Sequence, residues 1–499
     1  MEESRPRRIV VVGRGVVAWL AAAVLARVLK RSRFLLTVVE PPLGATELYC
    51  EAADASFRRL LALLNVDERE LLRRTRATMN LGTRYLDWSE SGADSFHSLG
   101  PVGARLSGVA FHHHWLRIRK CGSQVPFDDY SMNARTARAG RFSLPSADPQ
   151  SMRSLLSHGY HFDTDLLTGY LRDYAVWLGV ERTAGEIARV QLRGDDGCID
   201  GIRLAGERQI DADFYIDCSG PDGALMRHVA PGNRRKRDDG IPRTRALVCA
   251  APRRETAAAH SVVAARACGW QWQIPTGSRC EHGFAYSPEF LTDDEATQAL
   301  AASLPDPAPV APRLVTFPSD RPDKFWVRNC LTLEAGSYVP LAGVRLHLAQ
   351  TGITRLLTLF PDAGADPGSA EEYNRQTAAE HEHVGDFLAL HFTAHERSDS
   401  PFWQACRRGR VPESLASKLE LFRETGRVTQ VEDDYFSTHD WVSAFLRQGV
   451  VPQRYDPLAD QLDIEVTRSA LARLSSEIGR AVDELPSHDR FMEEIHGRV

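Results

Sequence analysis

Two glycines and an alanine near the amino terminus have the spacing G-x-G-x-x-A: Gly13, Gly15 and Ala18. In this pattern the first glycine permits a tight turn and the second lets the backbone approach a pyrophosphate. The alanine replaces a third glycine where helix and strand pack closely. A helix beginning near Val16 would offer its amides and the positive end of its dipole to the phosphates. The spacing predicts dinucleotide binding. The alternative is a plain turn whose glycines serve packing.

Two strands must position this turn. The apolar residues 9–12 (IVVV) directly precede it and predict a buried strand, and the residues from 18 onward have helical composition. Further on, the segment FLLTVVE (34–40) predicts a second strand, which ends in Glu40. An acid at this place accepts hydrogen bonds from a ribose. The order strand, turn, helix and strand therefore favours a Rossmann-type site.

A second candidate segment lies far downstream. Residues 214–216 predict a strand that runs into Asp217 and, three residues later, Gly220. In FAD proteins with two such stretches, this acid and glycine meet the ribityl chain and the pyrophosphate. An aspartate here is also a common helix N-cap, and this alternative stays open. The late stretch favours FAD over NAD, because NAD sites normally need no second segment so far along the chain.

The net charge and the hydropathy pattern argue against two classes of partner, nucleic acids and membranes. The chain has 499 residues and a formal net charge of −5, which argues against nucleic-acid binding driven by bulk charge. No run of about 18 apolar residues occurs, so we predict no transmembrane helix. The first residues lack a signal-peptide pattern. We expect a cytoplasmic protein with no nucleic-acid and no membrane partner.

Cysteine and histidine patterns give no metal site. The nine cysteines are scattered without a Cys-x-x-Cys pair, which predicts free thiols in a reducing compartment. The histidines at 112–114 could not all face one ion on a strand, and no acid or cysteine lies at ligand spacing. His161 is expected to pack or cap, and a substrate role for it stays open. We predict no bound metal.

The segment GWQWQIP contains the pattern W-x-W-x-I-P, formed by Trp270, Trp272, Ile274 and Pro275. With this motif and the segments around it, the chain resembles the flavin-dependent tryptophan halogenase family over nearly its whole length. The other matching segments follow the family's order: residues 47–88, YHFDTDLLTGYLRDYA (160–175), FYIDCSG (214–220), LAQTGITRLLTLFPD (348–362), EYNRQTAAEHEHVGDFLALHF (372–392), DSPFW (399–403) and QGVVPQRYDPLAD (448–460).

The resemblance implies a mixed α/β fold (α+β in part). It consists of a Rossmann-type, FAD-binding box domain of flavin-monooxygenase type and a largely helical part that covers the substrate. We expect the box domain at 1–365, with substrate-covering segments interleaved at about 85–160, and the helical, pyramid-like part at 366–499. Trp441 and the neighbourhood of 448–455 are expected near the substrate cavity.

The resemblance also implies the chemistry and the partners. Reduced FAD comes from a separate flavin reductase that binds transiently, and halide is a co-substrate if the protein halogenates. The substrate is a small aromatic molecule such as an indole. Glu51 and Ala52 match the family's flavin loop. The tryptophan motif is expected to form a wall that keeps the flavin oxidant from attacking the substrate directly. A homodimer is possible by analogy.

Two catalytic positions of the family are altered. Asn80 stands where the family has its catalytic lysine, and an amide is neither nucleophilic nor protonated near neutral pH. Arg84 is the nearest cation in this segment, and guanidinium is a poor acid. Ala342 stands at the position of the catalytic glutamate. We predict that Asn80 and Ala342 are both non-catalytic.

Two neighbouring departures affect the flavin loop and the halide position. Cys50 replaces a glycine of the loop, which matters if that position needs a positive φ. The family's Thr-Gly pair, whose backbone lies by the halide, maps to Val344 and Arg345. Three functions remain open: an FAD-dependent oxidoreductase with altered chemistry, a non-catalytic relative that binds flavin or ligand, and a true halogenase with another directing residue. An enzyme is favoured over a binding protein.

Overall fold

The structure is a computed structural model, and it describes residues 7–42, 48–221, 223–236, 240, 244–252, 258–304, 311–333, 341, 343–361, 366–429 and 434–497. The strands in chain order are β1 (Arg7–Val12), β2 (Phe34–Glu40), β3 (Cys50–Ala53), β4 (Thr78–Asn80), β5 (Gly82–Leu86), β6 (Asp94–Ser98), β7 (Gly159–Asp163), β8 (Glu181–Ala184), β9 (Ile187–Leu192), β10 (Ile199–Leu204), β11 (Gln209–Ile210), β12 (Phe214–Asp217), β13 (Arg234–Lys236), β14 (Arg245–Pro252), β15 (Ser261–Arg266), β16 (Gly269–Pro275), β17 (Arg279–Tyr286), β18 (Arg313–Thr316), β19 (Asp320–Pro322), β20 (Trp326–Val327) and β21 (Cys330–Thr332).

The helices in chain order are α1 (Val16–Val28), α2 (Phe57–Leu64), α3 (Glu68–Thr75), α4 (Phe111–Lys120), α5 (Met132–Arg138), α6 (Thr164–Trp177), α7 (Met226–Val229), α8 (Asp293–Ser303), α9 (Val344–Thr358), α10 (Pro367–Thr393), α11 (Pro401–Arg408), α12 (Glu413–Thr425), α13 (Thr438–Arg447), α14 (Ile464–Asp483) and α15 (His488–His496). Short 3₁₀ turns occupy Phe127–Tyr130, Met152–Leu155 and Pro457–Gln461.

The chain divides into two compact units, each built from three separate stretches. Unit 1 comprises Met1–Ala77, Phe162–Arg237 and Val315–His381, and unit 2 comprises Thr78–His161, Asp238–Leu314 and Glu382–Val499. The predicted domain boundaries, 1–365 and 366–499, stay a prediction.

Unit 1 is organised by a sheet with the strand order β20-β21-β12-β1-β2-β8. β1 pairs in parallel with β12 and with β2, and only the edge strand β20 runs antiparallel. The side chains of residues 9–12 are at most 1% exposed, which suits a central strand covered on both faces. The predicted strands at 9–12, 34–40 and 214–216 are therefore confirmed, and so is the Rossmann-type character of this sheet.

A mixed sheet has the strand order β18-β14-β17-β16-β15-β5-β6, and its strands from β14 to β6 belong to unit 2. The strand with the two tryptophans, β16, pairs antiparallel with β15 and β17, so the motif lies in the middle of the sheet. The carboxyl-terminal region is helical, as predicted, with α14 and α15 separated at 484–487. Among the described residues, no helix has both the length and the apolar character needed to cross a membrane.

Candidate active site

Gly13 lies where the ends of three parallel strands of unit 1 meet. Its amide donates to Val39 O at 3.0 Å, and the Cys218 amide donates to Val12 O at 2.7 Å. A Cβ atom at position 13 would lie 2.6 Å from the Cys218 carbonyl oxygen, closer than real Cβ contacts allow. Glycine at this position is therefore required by the close approach of the β12 turn, whether or not a phosphate binds nearby.

Gly15 is the N-cap residue of α1, with φ −82° and ψ −167°. Among the described residues, no side chain caps the amides of the first turn of this helix. Val16 and Ala18 are buried, whereas Gly15 is half-buried and Arg14 is exposed. Because the first N–H groups of a helix lack partners within it, an uncapped terminus is a ready site for a phosphate.

Glu40 ends β2 with a fixed, buried carboxylate. Its Oε1 accepts from Trp19 Nε1 at 2.8 Å, and its Oε2 accepts from Arg182 Nε at 2.6 Å. The residue is 7% exposed. Each carboxylate oxygen has more than one acceptor position, so these bonds orient Glu40 and still leave it able to accept from a ribose hydroxyl.

The Asp217 carboxylate organises the turn after β12. Its Oδ1 accepts from the amide and the hydroxyl of Ser219, at 3.1 and 2.5 Å. Its Oδ2 accepts from the amides of Leu225 and Met226, at 2.8 and 2.9 Å, at the start of α7. Asp217 therefore binds the first amides of α7 from outside the helix, whereas the N-cap residue is Leu225, so Asp217 is not itself the N-cap. Direct contact of Asp217 with a flavin stays a prediction. Gly220 has φ +100°, in the region that favours glycine.

The predicted flavin loop lies on β3 and the residues after it. Glu51 is 7% exposed, and its Oε1 is 3.1 Å from Arg345 Nε near the start of α9. An added Cβ at Gly343 would lie 3.2 Å from the Ala52 carbonyl oxygen, so the amino terminus of α9 packs closely on this loop. Cys50 is the first residue of strand β3, and its φ is not positive. Its replacement of glycine therefore strains no backbone here.

A buried ion network follows the flavin loop, and no motif had pointed to it. His347 Nδ1 is 3.5 Å from Asp54 Oδ2, and its Nε2 is 3.2 Å from Glu380 Oε1. Glu380 Oε2 also accepts from Arg355 and Thr351, both at 3.0 Å. The spacing of positions 347, 351 and 355 is i, i+4, i+8, which places them on one face of α9. That polar face was the one signal in the sequence.

The carboxylates on both sides of His347 control its charge. Burial alone would lower the pKa of His347, but Asp54 and Glu380 outweigh it and raise this pKa to about 9. Burial opposes ionisation of Glu380 as well, and its contacts with His347 and Arg355 nevertheless hold its pKa below the ordinary value. The network is therefore charged at neutral pH.

Asn80 ends β4 in unit 2. It is 4% exposed, and its Oδ1 accepts from the Gly82 amide at 3.0 Å, which closes the turn into β5. The predicted cation Arg84 is paired with Asp94, with distances of 2.5 and 3.0 Å to the two carboxylate oxygens. Asp94 raises the pKa of Arg84 further, so Arg84 cannot serve as a proton donor. Ala342 lies outside the described residues.

Trp272 and Trp270 are both buried, but their indoles have different surroundings. Trp272 Nε1 donates to the fully buried Glu281 at 2.7 Å. Its ring occupies the space beside Gly283, where an added Cβ would lie 2.0 Å from the indole. Trp270 packs against Trp88 and Phe392, with centroid distances of 6.3 and 5.0 Å, and its Nε1 has no hydrogen-bond partner among the residues that the structure describes.

The rest of the tryptophan motif is fixed in the same sheet. Ile274 is 4% exposed, and the Pro275 carbonyl accepts from Thr78 Oγ1 at 2.7 Å. The motif is thus held within the sheet of unit 2, and its role as a wall stays a prediction. Its expected place next to the flavin stays a prediction.

The histidines that had raised the question of a metal have separate partners. Residues 112–114 lie on helix α4, so the expectation of a strand there was wrong. His112 contacts Gly426 O, His113 accepts from the Asp456 amide, and His114 contacts Leu106 O. His161 is buried, and its Nε2 is 3.0 Å from Ser261 Oγ, in the packing role predicted. All nine cysteines are free thiols, as predicted.

A parallel sheet with a glycine turn after its central strand and a buried acid ending the next strand defines a Rossmann-type dinucleotide-binding protein. The family model described as tryptophan halogenase matches residues 8–464. The chain belongs to the tryptophan halogenase family.

Solved structures agree with this assignment. BrvH, a flavin-dependent halogenase from Brevundimonas sp. BAL3, has 32% identity and a TM-score of 0.93, over 98% of this chain and 99% of that one. Xcc4156, a flavin-dependent halogenase from Xanthomonas campestris, has 30% identity and a TM-score of 0.93, over 99% of both chains. Among curated relatives, the tryptophan 7-halogenase RebH of Lentzea aerocolonigenes is 23% identical, over 98% of this chain and 99% of its own.

Family membership confirms the predicted cofactors at the level of the family. Flavin-dependent halogenases use reduced FAD from a separate reductase, and halide when they halogenate. The family also implies an aromatic substrate like tryptophan or indole and a flavin reductase as partner.

Proposed function

We propose that the protein is an FAD-binding oxidoreductase whose reduced flavin and oxygen act on an aromatic, indole-like substrate without lysine-directed halogenation. The observation that carries this proposal is Asn80. The residue at the family's lysine position is a buried amide, and its oxygen already accepts from the Gly82 backbone. Unlike the ammonium or amine of a lysine, an amide is neither protonated nor nucleophilic near neutral pH, so Asn80 cannot take over the lysine's role toward hypohalous acid.

The residues of unit 1 fit an FAD molecule. The uncapped amino terminus of α1, with Gly13, Gly15, Val16 and Ala18, suits the pyrophosphate, and Glu40 is oriented at the end of β2 for a ribose. FAD supplies the oxygen-activating chemistry when it is bound. We propose that two loops complete the FAD site. They are the predicted flavin loop with Glu51 and Ala52 and the turn after β12 with Asp217 and Gly220.

The main test is a product assay with reduced FAD, oxygen, bromide and a panel of indoles, followed by mass spectrometry. Oxygenated or dehydrogenated product would support the proposal, because it requires flavin chemistry on the organic substrate. Brominated product would overturn it in favour of a halogenase. Release of hydrogen peroxide without product would indicate a non-catalytic relative.

The double substitution Asn80→Lys with Ala342→Glu tests whether only the family's catalytic pair is missing. Halogenation should then appear in a protein that otherwise binds flavin and substrate normally. The matched control is Asn80→Gln with Ala342→Gln, which adds length but neither an amine nor an acid. Equal activity of the two double variants would contradict the role given to Asn80 and Ala342.

A non-catalytic, ligand-binding role is the second candidate. The favouring observation is the Arg345–Glu51 contact, which places a guanidinium on the flavin loop at a position where the family has a halide-binding backbone. Titration of FAD, followed by flavin fluorescence, separates the candidates. Tight stoichiometric binding would favour the oxidoreductase, and absence of binding would favour a protein that binds another ligand.

A true halogenase with another directing residue is the third candidate, and Lys418 favours it. Of the five lysines in the sequence, four are exposed and only Lys418 is buried. Its Nζ is 3.2 Å from Asp386 Oδ2 and 4.8 Å from the ring centroid of Trp441, a residue expected near the substrate. If wild type halogenates, Lys418→Met should abolish this activity and Lys324→Met, at an exposed lysine, should not.

Two partners belong to this proposal. A flavin reductase delivers the reduced cofactor transiently, and a homodimer is the proposed assembly. Light scattering of the purified protein would decide the assembly, because a monomeric mass at micromolar concentration would rule the dimer out.

A further inference from the structure

Arg447, the last residue of α13 in unit 2, has a buried guanidinium with almost no polar partners. The residue is 7% exposed. Its Nη2 donates to His391 Nε2 at 2.8 Å, and its Cζ lies 4.1 Å from the ring centroid of Tyr85. In the described part of the chain, neither Nε nor Nη1 of Arg447 has a hydrogen-bond partner.

The one polar partner of Arg447 carries no negative charge. His391 Nδ1 donates to the Phe387 carbonyl at 2.8 Å, so the lone pair on its Nε2 accepts from the guanidinium. Burial and the charge of Arg447 both hold the pKa of His391 well below its ordinary value. No carboxylate of the described residues forms an ion pair with Arg447 within 4.0 Å.

The other buried cations of unit 2 are paired with acids. Arg397 Nε and Nη2 lie 2.9 and 2.6 Å from the two oxygens of Asp399. Lys418 Nζ lies 3.2 Å from Asp386. Arg447 departs from this pattern although it is equally buried. The carboxyl end of a helix favours a cation by only about 0.3–1 kcal/mol, which is less than the cost of several kcal/mol for burying an ion.

Gln448, which follows Arg447, also has buried polar atoms without hydrogen-bond partners in the described chain. Gln448 is 0% exposed, and neither its Nε2 nor its Oε1 has a hydrogen-bond partner in the described chain. Arg447 and Gln448 therefore hold four buried polar atoms without partners at one end of α13. Buried polar groups are normally hydrogen-bonded, so this end of the helix is suited to a ligand that supplies acceptors.

Aromatic rings continue from Arg447 through unit 2. Tyr85 stacks on His391 with a centroid distance of 5.4 Å, and His391 lies 5.3 Å from Phe387. Phe387 stacks on Phe436 at 3.6 Å and meets Trp441 edge-on at 5.2 Å. These rings are buried against one another, so a flat aromatic molecule would stack here by displacing one of them, and its carboxylate would then meet the guanidinium.

We infer that Arg447 anchors the carboxylate of an aromatic acid in unit 2. The inference rests on the proposed function in one respect: it assigns the aromatic substrate of that function to the class of carboxylates. An N–H at Nε or Nη1 donates to a carboxylate oxygen, as guanidinium groups do in charge-assisted pairs. Because the guanidinium is enclosed, a ligand reaches it only when neighbouring side chains move aside.

The test is calorimetric titration of the full-length protein without flavin. The ligands are indole-3-acetate, benzoate and phenylacetate, each compared with its neutral amide. The amide keeps the shape and loses the charge, so we expect each acid to bind about tenfold or more tightly than its amide. Arg447→Met should remove this preference, and Arg468→Met, at an exposed arginine on α14, should retain it.

Titrations with chloride, bromide and acetate show whether Arg447 binds aromatic acids specifically or binds any small anion. If halide or acetate alone binds with the affinity of the aromatic acids, the inference is overturned in favour of a simple anion site. Equal binding of acid and amide by the wild type, or no binding of any aromatic acid, overturns it as well. These readouts need no flavin, so a failure of the proposed oxidoreductase chemistry would leave them unchanged.

Discussion

Arg345 Nε lies 3.1 Å from Glu51 Oε1, which connects the start of α9 to the flavin loop within unit 1. The side chains are 18% and 9% exposed, so water screens this contact only weakly. A cation at the start of α9 therefore faces the acid of the predicted flavin loop.

Replacing Arg345 by methionine should lower the free energy of unfolding by roughly 3 kcal/mol, because it leaves a buried carboxylate without its cation. Urea denaturation measures the change. The control is Arg84→Met, which breaks a pair whose side chains are 38% and 40% exposed and should cost less than about 1 kcal/mol. Similar losses for both substitutions would mean that the Arg345 pair contributes no more than a surface pair.

The His347 network should make stability depend on pH in a defined window. The folded pKa of about 9 lies above the ordinary value of 6.5, so the contribution of His347 is complete below 6.5 and disappears as the pH rises through 9. The difference in unfolding free energy between wild type and His347→Gln should therefore shrink steadily across this range. Denaturation at a series of pH values measures it, and a constant difference would refute a protonated His347.

The two tryptophans of the motif should differ when each is changed to phenylalanine. Trp272→Phe removes the N–H that donates to the buried Glu281, so it should cost about 1–3 kcal/mol beyond the loss of ring volume. Trp270→Phe loses no hydrogen bond to the described part of the chain, where Trp270 Nε1 has no partner. Thermal unfolding of both variants gives the comparison, and a larger loss for Trp270→Phe would contradict it.

Gly283 should tolerate no side chain, because an added Cβ would lie 2.0 Å from the Trp272 ring. Gly283→Ala should destabilise the protein by about 1–3 kcal/mol, the usual cost of overpacking. Gly385 on α10 is the matched control, since an added Cβ there meets nothing within 4 Å. Gly385→Ala should be neutral or stabilise by up to about 1 kcal/mol.

The substitutions Arg447→Met and Arg397→Met should change the free energy of unfolding in opposite directions. Arg447→Met removes a buried, unpaired charge and should raise the free energy of unfolding by about 1 kcal/mol or more, measured without ligand. Arg397→Met breaks a two-bond contact with Asp399 and should lower it by about 1–3 kcal/mol. Destabilisation by both variants would show that Tyr85 and His391 compensate the charge of Arg447.

The parts of the fold that the sequence predicted are those with local causes. The strand at 9–12 follows from a continuous apolar run, and Gly13 follows from a turn that contacts its own strand ends. Asp217 was ambiguous for a local reason too, because its partners at 219–226 fit a cap as well as a ligand loop.

The His347 network could not be predicted in this way. Asp54 and Glu380 lie far apart in sequence, and only the folded unit 1 brings them to the two sides of one imidazole. That no described carboxylate lies within 4.0 Å of Arg447 is equally invisible in a sequence, because it depends on how the neighbours of the guanidinium fold around it. Local patterns predict elements, whereas charge compensation belongs to the assembled unit.

The interleaving of the two units has a consequence for synthesis on the ribosome. The chain passes from one unit to the other after residues 77, 161, 237, 314 and 381. In unit 1, β1 pairs with β12, and β12 pairs with β21 at 330–332. The nucleotide-binding sheet therefore cannot be completed until two thirds of the polypeptide has been translated. β1 can pair with β2 early, but the edge of β1 that later binds β12 stays open in the nascent chain until residues 214–217 have been made, and open strand edges promote aggregation.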